Sequence, residues 1–199
     1  MIRKRLAVLV SGNGSNLQAI IDACKNNKLT AEIAVVISNQ EKAFGLVRAQ
    51  NASIPALWLP FEKGTLRKDY DERLARQLLV YKPDFIVLAG WMRLLSQSFL
   101  SHFPGKVINI HPALPGCFPG THAIERAYQG YQAGLITHTG VMVHYVPNEG
   151  IDDGPVLIQD LVSIDPKDTL ATLEERIHTT EHRLLVEALI PLCNPLRGQ

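Results

Sequence analysis

The alternation of wholly apolar runs with helical patterns constrains this chain more than any other feature. Residues 6–10, "LAVLV", hold no polar side chain and do not alternate. A strand buried on both faces reads this way, as central strands of parallel sheets do, whereas a strand with one wet face alternates. The run breaks into Ser11-Gly12-Asn13-Gly14-Ser15-Asn16, and "NLQAIIDACKNN" follows with Leu17, Ile20, Ile21 and Cys24 at helical spacing. The unit then recurs. "AEIAVVISN" reads as a strand, "AFGLVRAQNA" as a short helix and "IPALWLP" as a strand. "LRKDYDERLARQLLVYK" reads as an amphipathic helix with Tyr70, Leu74, Leu78 and Leu79 on one face, and "PDFIVLAGW" and "VINIH" read as strands. This order predicts an α/β fold: an open, mostly parallel twisted sheet with helices on both faces. The last third departs from it. "THTGVMVHYV" and "GPVLIQDLVSI" read as longer, antiparallel strands, and "TLATLEERIHTTEHRLLVEALIPL" as a long closing helix capped by Thr169 or Asp168.

Bulk properties exclude several functions. A length of 199 residues suits a single domain, 1–199, and 46% apolar with 20% charged residues is ordinary for a globular chain. A formal net charge of +1 provides no broad basic field, so no nucleic-acid partner is expected. The three cysteines, Cys24, Cys117 and Cys193, form no CxxC pair, so neither a zinc site nor a disulfide framework is expected. No apolar run reaches membrane-spanning length. The N-terminal "MIRKRLAVLVSG" is basic then apolar, but its apolar run is too short for a signal peptide, so a cytoplasmic protein with no membrane partner is expected.

In an open parallel sheet, ligands bind beyond the carboxyl ends of the strands. The Ser11–Asn16 turn lies at such an end. Its glycines allow backbone N–H groups to approach an anion, and Ser15 and Asn16 open a helix whose N-terminus favours negative charge. The turn lacks the third glycine of a dinucleotide fingerprint and the lysine of a P-loop. Two readings stand at this point: a site for one phosphate, or a tight strand–helix turn with capping residues.

A second strand end carries chemistry. In "VINIHP", Asn109 and His111 flank Ile110, so a period of two puts both side chains on one face, and Pro112 stops the strand. An amide can donate to a developing oxyanion, and an imidazole can carry a proton or donate when charged. The Gly-rich loop "NEGIDDGP" holds Asp152 and Asp153. A carboxylate close to His111 would raise its pKa, whereas burial would lower it; donation near neutral pH requires the carboxylate to win.

"SGNGSNLQAIIDAC", "VLAGWMRLL", "INIHPALPGCFPG", "GIDDGPVLIQ" and "TTEH" occur in this order. Together they resemble the phosphoribosylglycinamide formyltransferases, the folate-dependent glycinamide ribonucleotide transformylases, over nearly the whole chain. The resemblance implies a Rossmann-like formyltransferase fold and transfer of a formyl group from 10-formyltetrahydrofolate, a co-substrate, to the glycinamide amine in purine biosynthesis. It implies no metal and no bound redox cofactor; small-molecule partners and a monomer or homodimer are expected. By position, Asn109, His111 and Asp152 match the catalytic trio. Gly14, Ser15 and Asn16 match the phosphate turn, and Glu181 matches the carboxylate that holds the ribose. Met92, Arg93, Leu94 and Leu95 match the folate-pocket wall, which Asn109 also touches, and Arg67 matches a basic residue at its rim. Residues 1–105 then form the nucleotide half and 106–199 the folate and catalytic half. The chain departs from the pattern at His111-Pro112-Ala113-Leu114-Pro115-Gly116, where the family commonly reads His-Pro-Ser-Leu-Leu-Pro. It is also longer between Gly120 and His144 and just before Asp152.

Rival readings have their own signatures. A methionyl-tRNA formyltransferase would carry a further C-terminal domain and a basic surface, and a formyltetrahydrofolate hydrolase a further N-terminal domain. The length and charge lead us to expect neither. A nucleotide-binding module without chemistry would need the phosphate turn but not Asn109, His111 and Asp152.

Overall fold

A computed structural model describes residues 3–194. Its elements are β1 (Lys4–Val10), α1 (Ser15–Lys25), β2 (Ala31–Ser38), α2 (Phe44–Asn51), β3 (Ala56–Trp58), α3 (Arg67–Val80), β4 (Phe85–Leu88), α4 (Gln97–Leu100), β5 (Val107–His111), α5 (Ala123–Gln132), β6 (His138–Tyr145), β7 (Val156–Ser163) and α6 (Leu170–Cys193). They build one seven-stranded sheet in the order β3-β2-β1-β4-β5-β6-β7. The first five strands are mutually parallel, and β6 and β7 run antiparallel, as expected.

The unbroken apolar runs are explained by cover on both faces. Leu6, Val8 and Val10 of β1 pack with α1, α2 and α6, while Ala7 and Leu9 pack on the opposite face with α3 and α4. All five are fully buried. The α3 face differs from the expected one by a residue. Tyr70, Leu74, Ala75 and Leu78 are buried, but Leu79 is exposed, because its position on the 3.6-residue turn carries it past the edge of the apolar stripe. Thr169 is the cap of α6: its side chain accepts from Thr172 N–H at 3.2 Å, and the Thr172 hydroxyl accepts from Thr169 N–H. Asp168 lies just outside, pairing with Arg176 instead.

The chain leaves β1 in one direction along the sheet and returns on its other side at β4, so the order reverses between these strands. Their carboxyl ends are stitched across this switch point. Ser11 N–H donates to Gly90 O at 3.0 Å, and Met92 N–H donates to Ser11 Oγ at 2.9 Å. A ligand site is expected at such a crevice.

Candidate active site

Asn109 and His111 emerge on the same face of β5, with Ile108 and Ile110 turned into the opposite core. The antiparallel register sets Asn109 directly opposite His144 of β6 and His111 opposite Met142. The loop between β6 and β7 then brings Asp152 over the strand end. Its φ of 53° is a left-handed conformation that aspartate tolerates better than most residues. Oδ2 lies 3.3 Å from His111 Nδ1 and accepts from Gly120 N–H at 2.8 Å. Oδ1 accepts from Asn109 Nδ2 at 3.0 Å and lies 3.5 Å from His144 Nε2. The structure therefore gathers Asn109, His111 and Asp152 into direct contact. It leaves Asp153 exposed, with its carboxylate folded back over Gly150.

The electrostatics differ from expectation at His111, which is only 4% exposed. Burial is the largest influence and pushes its pKa below the ordinary value; the Asp152 charge pulls it back only in part. Geometry opposes that loss of charge. Nδ1 faces a carboxylate and Nε2 lies 3.1 Å from Phe118 O, so both ring nitrogens face acceptors and only the imidazolium satisfies both. Burial pushes the Asp152 pKa up, but lowering influences, among them the Gly120 N–H and the His111 charge, outweigh this and hold it below the usual carboxylate value.

Asn109 is oriented by its neighbours. A carboxylate oxygen on one side and His144 Nε2 at 3.1 Å on the other take both amide hydrogens, which assigns the amide nitrogen inward and leaves the carbonyl oxygen for the cavity. His144 donates its other ring nitrogen, Nδ1, to Tyr145 O at 2.9 Å and is 2% exposed. Sequence reading gave His144 no role. The signal was the β5–β6 register, which only the pairing of the strands reveals.

A cavity of about 370 Å³ opens beside this cluster. Met92, Arg93, Leu94 and Leu95 line it from the β4 side, and Asn148, Gly150 and Ile151 from the β6–β7 loop. Met92 and Leu94 are exposed, at 66% and 43%, so this part of the wall is apolar at an accessible surface, whereas Leu95 is buried in the core. Arg93 stacks its guanidinium 3.6 Å from the centre of the Phe61 ring. Arg67 is set outside the lining, paired with Glu149. Pro112, Gly120, Thr121 and His122 also line it, and the loop between Pro112 and Gly120 is pinned by Arg126, whose guanidinium donates to Phe118 O at 2.6 Å and Pro119 O at 2.7 Å.

Gly14, Ser15 and Asn16 form a second cluster. Gly14 has φ 73°, and a Cβ there would lie 2.7 Å from Gly45 Cα, so glycine is required both by conformation and by the close approach of α2. Ser15 opens α1, and Asn16 is buried with its Oδ1 unpartnered. Arg48 braces the turn, donating to Asn13 O and Asn13 Oδ1 at 2.9 Å each and to Gln18 at 3.2 Å. Glu181 is 5% exposed, and its Oε2 lies 2.6 Å from His178 Nδ1. That hydrogen bond is the main cause of a raised His178 pKa. Burial is the largest influence on the His182 pKa and lowers it; the Glu181 charge opposes this, and the His178 and Arg48 charges add to the lowering. Among the described residues, no three His, Cys, Asp or Glu side chains are grouped to hold a metal ion.

The family model described as formyl transferase matches residues 4–189. The phosphoribosylglycinamide formyltransferase of Schizosaccharomyces pombe is 47% identical, over 92% of this chain and 94% of its own length. That of Escherichia coli K12 is 43% identical over 90% and 82% respectively. The crystal structure of phosphoribosylglycinamide formyltransferase from Bacillus halodurans superposes with a TM-score of 0.90 at 39% identity, covering 98% of this chain and all of that one.

Proposed function

Because the chain belongs to the formyl transferase family, we propose that it transfers a formyl group to the amine of 5′-phosphoribosylglycinamide in purine biosynthesis, with 10-formyltetrahydrofolate as the donor. The observation that carries this reading is the convergence of Asn109, His111 and Asp152 beside an apolar cavity at the switch point of the sheet.

The flat pterin of the donor fits the cavity between residues 92–95 and 148–152, with Arg67 at its rim. The nucleotide phosphate fits the turn at Gly14, Ser15 and Asn16, where free backbone N–H groups and the α1 N-terminus favour an anion. Glu181 accepts from the ribose hydroxyls. The neutral amine attacks the formyl carbon, and the carbonyl oxygen gains negative charge. The imidazolium of His111 donates to that oxygen in place of Phe118 O, while Asp152 stabilises the imidazolium. Asn109, with its carbonyl facing the cavity, accepts from the attacking amine and holds its lone pair on the formyl carbon. As the tetrahedral centre collapses, the amine loses one proton, the departing folate nitrogen gains one, and tetrahydrofolate leaves.

We place this activity in the cytoplasm, in a monomer or homodimer acting on small molecules alone. No helix among the described residues is long and apolar enough to cross a membrane. The test is a transfer assay with labelled formyl donor and three competing acceptors. Label is expected in the glycinamide nucleotide; label in formate or on methionyl-tRNA would overturn the reading.

A further inference from the structure

Glu149 lies in the loop beside the cavity but is not part of its lining, and its carboxylate is engaged elsewhere. Its neighbours Asn148 and Gly150 line the cavity. Oε1 accepts from the backbone N–H of Gln97 at 2.7 Å, and Oε2 forms an ion pair with Arg67. Gln97 opens α4, two residues beyond the Met92–Leu95 wall, and Arg67 opens α3. One side chain therefore ties the β6–β7 loop to the opposite side of the cavity and takes up the cation that stands at the rim.

We infer that Glu149 is a built-in competitor for Arg67, which the carboxylates of the donor's glutamyl tail must displace. This rests on the folate reading given above. A tail carboxylate that approaches Arg67 meets a guanidinium already holding an anion, and the two anions repel each other. Both partners are about 40% exposed, with side-chain accessibilities of 39% and 42%, so the pair is weak and screened. Weakness is what allows exchange: Glu149 lowers the reward for an anionic tail without closing the site.

The two functions of Glu149 can be separated. Glu149→Gln keeps an acceptor for Gln97 N–H and removes only the charge, whereas Glu149→Ala removes both. The probes are a non-reactive tetrahydrofolate analogue with its glutamyl tail and the same analogue ending in a neutral benzamide, each titrated calorimetrically into the full-length protein. Glu149→Gln is expected to tighten the tailed analogue by about two- to fivefold, the range of an exposed ion pair, and to leave the benzamide unchanged. The gain should vanish in high salt. Glu149→Ala should weaken both analogues through the loosened wall. Arg67→Gln should weaken the tailed analogue and abolish the effect of a second Glu149→Gln change. An unchanged tailed analogue, or equal weakening of both by Glu149→Gln, overturns the inference. Failure of wild type to bind either analogue would instead overturn the folate reading. If both bind wild type and Arg67→Gln affects neither, the rim assignment of Arg67 falls, and this inference with it.

Discussion

Gly14→Ala is expected to cost the protein both stability and its nucleotide, in a ratio the structure allows one to work out. The residue sits at φ 73°, where an L side chain costs about 1–2 kcal/mol. The new methyl would lie 2.7 Å from Gly45 Cα, a backbone atom that cannot swing aside, so α2 has to shift. Overpacking of this kind costs about 1–3 kcal/mol. Together these give about 2–5 kcal/mol, a large part of a typical stability of about 5–15 kcal/mol. In a chain of this size that corresponds to a fall in Tm of about 4–20 °C. The shift also strains the Gly45 N–H to Gly12 O bond (3.1 Å) and the Arg48 brace on Asn13, both parts of the phosphate turn. Chemical denaturation measures the first effect, and calorimetric titration with nucleotide and with folate measures the second. Nucleotide affinity should fall by about tenfold or more, and folate affinity by less than about twofold. A Gly14→Ala protein within about 0.5 kcal/mol of wild type would refute the steric reasoning. Equal loss of both ligands would mean that the turn serves the wrong one.

Three further changes test neighbouring groups. Gly12→Ala meets nothing within 4 Å, so Tm should hold while nucleotide affinity drops; an unchanged affinity would remove Gly12 from the phosphate's surroundings. Glu181→Gln should raise the nucleotide KM more than it lowers kcat, the pattern of lost uniform binding. It also removes the partner that raises the His178 pKa, a stabilising effect present below the unfolded-state pKa and lost as pH rises through the folded one. The Tm deficit of Glu181→Gln should therefore be larger at pH 5.5 than at pH 8.5, and an equal deficit would contradict the pairing. Asp153→Asn should leave kcat within about twofold of wild type, since that carboxylate is exposed and turned from His111; a loss comparable to that of Asp152→Asn would reverse the assignment of the two.

The sheet was legible because burial on both faces writes itself as runs such as "LAVLV" and "AEIAVVISN", and helices between them force parallel strands. Asn109 and His111 were legible as a pair because strand periodicity puts them on one face. His144 was not, because its role depends on a register across an antiparallel pair far apart in sequence. Arg48 was hidden for a similar reason: on α2 it reads as a solvated charge until the α2–turn contact at Gly45 brings it to Asn13. The net direction of the His111 pKa was not readable either, since it is a difference between burial and a single charge, and only the depth of the site decides it.

The most direct test of the proposed chemistry is the ratio of wild-type to Asp152→Asn kcat for transfer to the glycinamide nucleotide, measured across pH alongside the NMR titration of the His111 ring. Removing the carboxylate 3.3 Å from Nδ1 should lower the His111 pKa by about 1–2 units. The pH dependence of the substrate amine is common to both proteins and cancels in the ratio. The ratio should be smallest below both His111 pKa values, where each enzyme carries the imidazolium. It should climb by about 10–100-fold and level off above both, where the protonated fractions differ by the full shift. A ratio flat across pH, or a His111 pKa that Asp152→Asn leaves unchanged, would contradict the claim that the imidazolium held by Asp152 receives the charge of the transferring formyl oxygen.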